Sequence, residues 1–282
     1  MEIISEAYVK ERFPKRKRDA HKGNFGKILI FAGSTGMAGA AVLAGRAASR
    51  SGAGLLRFLL PSYEDAIYPI LQTAVPLATC VSSKQAVDLN EYDAIAAGSG
   101  LGSGAERLEL LKWILKTYEG TLLLDADALN MIARGEIGIE DVKGAKAKII
   151  MTPHIGEAKR LLESDAQILT EEERICAAKT LAGKYHSTVL LKGAGTLICS
   201  PEMELLKNET GNPGMAAGGS GDVLSGIIAA FAGQGLSAFE AAACGAYIHG
   251  KAGDLAAAAL GEIAMNAEDL ITYLPAAFTF ED

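Results

Sequence analysis

The sequence lacks any CxxC pair. Its four cysteines, Cys80, Cys176, Cys199 and Cys244, stand far apart, and so do its four histidines. Neither a disulfide framework nor a structural zinc site is supported, and the pattern fits a reducing, cytoplasmic setting. An apolar signal core is also missing, because the start, MEIISEAYVKERFPKRKR, is charged. Nor is there an uninterrupted apolar run of membrane-spanning length. Residues 226–259 are apolar but carry Gln234, Glu240, His249, Lys251 and Asp254, so they are read as two buried helices. Positive charge is in deficit: 27 Lys and Arg stand against 34 Asp and Glu, a net charge of −7. That balance argues against nucleic acid as a partner, while leaving room for a local basic site for phosphates. No linker rich in Pro, Gly or Ser divides the chain, and no low-complexity tail is visible.

What is present is a chain of 282 residues, 49% hydrophobic, with enough apolar material for a large core. One α/β domain over residues 1–282 is the expectation. Residues 1–20 read as an amphipathic lead-in with a basic cluster, Lys15 to Arg18, which is either a solvated start or a phosphate contact. From Lys27 the pattern alternates. KILIFAG, LLRFLLP, YDAIAAG, GTLLLD and AKIIM read as buried strands, and AVPLATC as a weaker one. Small-residue or amphipathic helices lie between them, RLELLKWILKTY being the clearest. STVLLKGAGTLIC reads as two strands joined by a Gly-Ala-Gly turn. ELLKNETGNPGMAAGGSG reads as a loop feeding a long helix, and the last 45 or so residues are largely helical. Such alternation predicts a three-layer αβα sandwich around a mostly parallel sheet. Ligands of such sheets bind beyond the carboxyl ends of the strands. Asp125, Asp127, Thr152, His154, Lys192 and the GSGLG loop at 98–102 all fall there.

The most informative segment is TGNPGMAAGGSGDVLSG, residues 210–226. Gly218, Gly219 and Gly221 precede an apolar helix, and successive amides at a helix start form an anion hole. Asp222 sits inside this positive end, either as a cap or as a base that takes a proton from an attacking hydroxyl. No GK[ST] follows the glycines, so this is not a Walker A loop. GSTGMAGA at 33–40 and GSGLG at 98–102 are each either tight turns or main-chain contacts to a long, phosphate-bearing ligand. In LDADALN, Asp125 and Asp127 would share a side if the strand continued through them, giving an acidic patch suited to water-bridged Mg²⁺. Alternatively Asp127 caps a short helix. His154 and Glu157 have i, i+3 spacing with no further histidine nearby, so zinc is not expected there. His154 is read as a substrate contact or a structural histidine, and Glu157 as a cap or a carboxylate ordering a metal-bound water. Lys192 begins a glycine turn that either holds a nucleotide or closes a hairpin. His21, His186 and His249 show no partner at readable spacing, and Tyr8, Trp113 and Phe231 are assigned to the core.

Taken in order, KGNFGKILIFAGSTGMAGA, SGAGLL, GSGLG, LLLDADALN, MTPHIGEAKRL, LLKGAGT and TGNPGMAAGGSGDVLSG cover residues 22–230 or so. The chain thereby resembles the ribokinase-like superfamily and, within it, the ADP- or ATP-dependent NAD(P)H-hydrate dehydratases. The resemblance implies restoration of NADH or NADPH from the S-form of the hydrate. The C6 hydroxyl is phosphorylated by ADP or ATP with Mg²⁺, and phosphate is then eliminated. It implies Asp222 as the base, Gly219 and Gly221 in the anion hole, and Lys192, Gly193, Ala194, Gly195 and Thr196 against the nucleotide. It also implies Ala40, Gly102, His154 and Asp222 against the hydrated substrate. Asn130 and Glu157 are family-like positions, and Asp125, Asp127 and Glu157 are the candidate metal ligands. About 20 residues precede the first strand, so a fused epimerase domain is not expected and an epimerase would act as a separate chain. A homo-oligomer, with a tetramer favoured, is a further implication. A small-molecule kinase of the same superfamily is the alternative. A non-catalytic nucleotide binder is the remaining reading, against which the carboxylate of Asp222 argues.

Overall fold

The computed structural model describes residues 1–13, 15–63, 65–164 and 167–280. Pro14 of the basic lead-in lies outside them. In chain order the strands are β1 (Glu2–Ile3), β2 (Lys27–Phe31), β3 (Leu55–Leu60), β4 (Ala78–Ser82), β5 (Ala94–Ala97), β6 (Thr121–Leu124), β7 (Lys148–Met151), β8 (Thr188–Leu191), β9 (Thr196–Cys199) and β10 (Leu205–Asn208). The helices are α1 (Glu6–Lys10), α2 (Ala38–Arg50), α3 (Tyr68–Ala74), α4 (Ala105–Thr117), α5 (Ala126–Ala133), α6 (Ile139–Lys143), α7 (Ile155–Leu161), α8 (Glu171–Tyr185), α9 (Ser220–Gly233), α10 (Ala238–Leu260) and α11 (Ala267–Ala277).

The strands form one sheet in the order β1-β10-β9-β8-β7-β6-β5-β2-β3-β4. Only β9 runs against its neighbours among the described residues, so the sheet is mostly parallel, as the alternation predicted. β4, the weaker strand candidate, forms one edge. β8 and β9 form the hairpin read from STVLLKGAGTLIC. Two features differ from the sequence reading. ELLKN is not loop: Leu205–Asn208 pairs antiparallel with β9, and the lead-in adds Glu2 and Ile3 beside it as a parallel strand. β1 is a two-residue edge strand and β10, Leu-Leu-Lys-Asn, lies just inside it; both are too short to give a periodic signal.

Strands buried on both faces explain the near-continuous apolar runs. In β2, Ile28 and Ile30 face a core shared with α2, α9, α10 and α11, whereas Leu29 and Phe31 face one shared with α4, α5, α7 and α8. These side chains are fully buried, each contributing roughly 1.5–3 kcal/mol of transfer free energy. The small-residue helices follow from close packing. A Cβ at Gly226 would lie 2.1 Å from the Ala44 carbonyl oxygen, so α9 and α2 meet backbone to backbone. That contact, with α9 lying over β5 and β6, brings the first turn of α9 to the carboxyl ends of the strands. The two apolar helices expected from residues 226–259 are α9 and α10, and no helix among the described residues is long and apolar enough to cross a membrane. The basic lead-in is occupied locally: Arg16 donates to the Gly52 carbonyl and to Gln234, and lies over the Phe25 ring.

Candidate active site

Strand order reverses between β2 and β5, and such a switch point opens a crevice at the carboxyl ends of the strands. The loop after β2 and the loop after β5 flank it. Ser34 Oγ donates to the Gly100 carbonyl at 2.9 Å, tying one loop to the other. Ala40, in the first turn of α2, stands against Gly100, where a Cβ would come within 2.6 Å of the alanine methyl. Gly102 donates its amide to Asp127 Oδ2 at 2.7 Å, and a Cβ there would lie 3.3 Å from Ser34 Oγ.

The first turn of α9 points into the same crevice. Gly219 is its N-cap with φ +92°, a left-handed conformation that glycine adopts without strain, and a Cβ there would strike Leu43 at 2.5 Å. No side chain caps this helix; the Ser220 amide reaches only the Ala217 carbonyl, at 3.4 Å, and an uncapped helix start of this kind favours an anion. Asp222 occupies the third helical position and does not cap. Its carboxylate accepts a hydrogen bond from Ser99 of the GSGLG loop. Burial, reinforced by the neighbouring Asp125 carboxylate, pushes its pKa up to about 6, while Ser99 and Lys192 act in the opposite direction. A carboxylate tuned toward neutrality beside a helix N-terminus has the properties of a general base next to an oxyanion site.

Lys192 follows β8 directly, and its amide donates to the Pro153 carbonyl at 2.9 Å. Its Nζ lies 2.8 Å from Asp125 Oδ1 and 3.9 Å from Glu157 Oε2. The second Asp125 oxygen accepts from Ser225 Oγ of α9 at 2.8 Å. Burial alone would push the Asp125 carboxyl up, but the lysine outweighs it and holds the group below its ordinary value. Burial likewise opposes the ammonium of Lys192, and Asp125 and Glu157 hold it above its ordinary value. A Cβ on Gly221 would sit 3.5 Å from Lys192 Nζ and 3.8 Å from Asp125 Oδ2. The ammonium, the anion hole and the buried aspartate thus converge on one point.

The two aspartates of LDADALN do not form the expected patch. The strand stops at Leu124, and Ala126 takes φ +45°, so the i, i+2 relation of a strand never applies. Asp125 turns inward to Lys192 and Ser225, whereas Asp127 turns to Gly102. Glu157 closes a capping box by accepting from the His154 amide at 2.8 Å. His154 Nδ1 accepts from the amides of Gly156 and Glu157 at 2.9 and 3.3 Å, which places the ring proton on Nε2, 3.6 Å from Glu157 Oε1. Asn130 accepts from Arg160 at 3.0 Å on the surface and stands apart from the Lys192 cluster in its bonding. The candidate metal carboxylates therefore already serve a lysine, an amide or a helix cap. Among the described residues no group of three or more His, Cys, Asp or Glu is placed to hold a metal ion. The residues do not fit a protein-held metal cage, and Lys192 supplies the resident positive charge.

Beyond Lys192, the Gly193–Gly195 turn is braced from α8. Arg174 donates to the carbonyls of Ala194 and Gly195 at 2.5 and 2.9 Å, and Thr196 Oγ1 donates to that of Gly193 at 2.9 Å. A cavity of about 310 Å³ lies beside the turn, lined by Arg174, Ala194, Gly195, Lys207, Glu171 and Glu209. A larger groove, about 830 Å³, lies at the opposite ends of the strands around Thr121, Lys148 and Thr188, and holds none of these residues. Sequence reading named the segments that hold Ser99 and Ser225 but not those serines themselves, whose partners are distant in the chain, and it missed Arg174, an isolated arginine without a motif signal. It also left His249 without a partner, whereas His249 Nε2 lies 3.3 Å from Ser220 Oγ.

The chain matches the NAD(P)H-hydrate dehydratase family over residues 28–276. It is 39% identical to an ADP-dependent (S)-NAD(P)H-hydrate dehydratase of Neisseria meningitidis serogroup B, over 86% of this chain and 81% of that protein. A bifunctional NAD(P)H-hydrate repair enzyme of Moorella thermoacetica is also 39% identical, over 97% of this chain but 53% of its own length. The chain thus spans about half the length of that and the other bifunctional relatives it matches. An ADP/ATP-dependent NAD(P)H-hydrate dehydratase from Bacillus subtilis, co-crystallised with ATP and Mg²⁺, superposes with a TM-score of 0.85 at 28% identity, covering 98% of this chain and 97% of that one. The architecture is the ribokinase-like one: a ribokinase of Thermotoga maritima shares it at a TM-score of 0.54 and 17% identity, covering 89% of this chain and 100% of that one, a likeness of fold alone. The chain belongs to the NAD(P)H-hydrate dehydratase family.

Proposed function

We propose that the protein dehydrates the S-form of hydrated NADH or NADPH at the expense of ADP or ATP. The observation that carries this reading is the position of Asp222, a carboxylate with its pKa near 6, in the first turn of an uncapped helix beside Lys192. In the proposed reaction Asp222 accepts the proton of the C6 hydroxyl as its oxygen attacks the terminal phosphorus of the nucleotide. The phosphorus–oxygen bond to the remaining nucleotide breaks, and the amides around Gly219 and Gly221 take up charge on the transferred oxygens. The C6–O bond of the ester then breaks, the ring nitrogen supplying electrons, a proton leaves C5, and inorganic phosphate departs. Hydroxide is a poor leaving group near neutral pH, which is why phosphorylation must come first.

Lys192, Gly193, Ala194, Gly195 and Thr196 are assigned to the nucleotide, and Ala40, Gly102 and His154 to the hydrate. The braced turn beside its cavity supports the first assignment. Convergence of the β2 and β5 loops on the crevice supports the second. Mg²⁺ enters with the nucleotide as part of the substrate, held by its phosphates. We further assign an epimerase as functional partner, a homo-oligomeric state and a cytoplasmic location, on the family resemblance and the free cysteines.

Phosphorus NMR of the products tests the proposal. Free phosphate together with restored NADH is the expected outcome. A stable phosphate ester of an alcohol substrate, without elimination, would assign the protein to the small-molecule kinases instead.

A further inference from the structure

The loop that ends in the anion hole is strapped to α10 at both ends. At its start, Asn208 Nδ2 donates to the Ala246 carbonyl at 3.1 Å, and Thr210 Oγ1 to the Tyr247 carbonyl at 3.0 Å. About two turns further along α10, Asp254 accepts from the Gly211 amide at 2.9 Å and from Asn212 Nδ2 at 3.0 Å. Gly250 permits this contact, since a Cβ there would lie 2.1 Å from Thr210 Oγ1. At its end, the first helical residue, Ser220, meets His249 at 3.3 Å between Oγ and Nε2. Residues 213–219 bridge between these anchors, and Asp222 lies two residues past the second.

His249 is an expensive residue to place here. It is 9% exposed, in a stretch of α10 whose buried residues from Ala241 to Ile248 are alanine, cysteine, glycine, tyrosine and isoleucine. A buried imidazole without a partner is unfavourable, and the contact it makes is with the first turn of α9. Resting on the functional reading above, we infer that His249 is a positioning residue for phosphoryl transfer: by holding Ser220 it keeps the amides of Gly219, Ser220 and Gly221 in register with Asp222. His249 acts through its contact with Ser220, so the two residues are expected to behave as one unit. Burial keeps the imidazole neutral, with its pKa lowered to about 4, so it adds no charge beneath a site meant for anions.

The test uses the full chain with His249→Ala, His249→Gln, Ser220→Ala and the double variant Ser220→Ala/His249→Ala. Hydrogen exchange at the amides of residues 219–222 is read alongside turnover. His249→Ala should speed exchange at these amides at least about tenfold, whereas His249→Gln, which retains a donor at the same reach, should stay close to wild type. Turnover number should fall roughly 10- to 100-fold in His249→Ala with nucleotide KM changed by less than about threefold, the pattern of misplaced chemistry. The double variant should be no worse than Ser220→Ala alone. Unchanged exchange in His249→Ala, additive losses in the double variant, or equal losses in the Ala and Gln variants would each overturn the inference. Should His249→Ala fail to fold, Ser220→Ala must still loosen residues 219–222. Absence of turnover in the wild-type protein would defeat the functional reading only, because the exchange arm decides the positioning of the loop by itself.

Discussion

Lys192 and Asp125 lie 67 residues apart in the chain, yet Nζ and Oδ1 meet at 2.8 Å beneath the first turn of α9. The pair fills the place where a metal cage would otherwise be sought, and it sets the field felt by Asp222. The consequences can be checked separately.

Asp222→Ala should lower turnover by about 10²- to 10⁴-fold, the usual contribution of a positioned base. Affinity for nucleotide, measured by calorimetry, should change little, because the helix amides and the Gly193–Gly195 turn remain. Wild-type turnover in the variant would remove Asp222 from the chemistry.

The rate should rise with pH through about 6, as Asp222 loses its proton and becomes a base. Asp125→Asn removes a like charge and frees Lys192 to face Asp222. Both effects favour the carboxylate, so the acid limb of kcat/KM should move to lower pH. A limb that stays in place would show that Asp125 does not tune the base.

Stability follows the same group with a definite sign. The folded-state pKa of Asp222 lies above its unfolded value near 3.9, so its contribution is fully present below that value and is lost as pH rises through about 6. Asp222→Asn should therefore raise the melting temperature at pH 7 by a few degrees, and the gain should vanish near pH 4. A variant that melts earlier than wild type at pH 7 would contradict the strain assigned to this carboxylate.

Removing Asp125 leaves a largely buried ammonium that faces Glu157 at 3.9 Å and Asp222 but has lost its 2.8 Å partner. Asp125→Ala should destabilise the protein by about 3–5 kcal/mol, the range for breaking a buried pair. Replacing both partners, Asp125→Leu with Lys192→Met, should recover much of that loss in chemical denaturation without recovering turnover. Equal stability of the single and double variants would mean that the pair is not energetically coupled.

Chelation of divalent cations should abolish turnover and leave the melting temperature of the nucleotide-free protein unchanged. The carboxylates nearest the site are engaged by Lys192, by the Gly102 amide and by the cap of α7, so the cation is expected to arrive with the nucleotide. A fall in melting temperature on chelation would point to a metal held by the protein itself.

Most of the fold was legible because its signals are local. Apolar runs such as KILIF and IIM mark doubly buried strands, and the glycine motifs mark the turns at their carboxyl ends. The proposed base was legible for the same reason: Asp222 follows its glycines directly in sequence. The rest depends on contacts between distant residues. Leu205–Asn208 is a strand only because β9 lies beside it. Asp125 looked like a metal ligand paired with Asp127 until the backbone at Ala126 separated them. Ser99, Ser225 and His249 acquire their roles through partners that no spacing reveals, the last across 29 residues.

The central claim is most directly tested by incubating the purified protein with freshly prepared hydrate of NADH, Mg²⁺ and either ADP or ATP, against a control without nucleotide. Nucleotide-dependent return of NADH absorbance is expected, with one inorganic phosphate released per cofactor restored and both signals lost in Asp222→Ala. Restoration at the same rate without nucleotide, or none at all from folded protein that binds nucleotide, would contradict it.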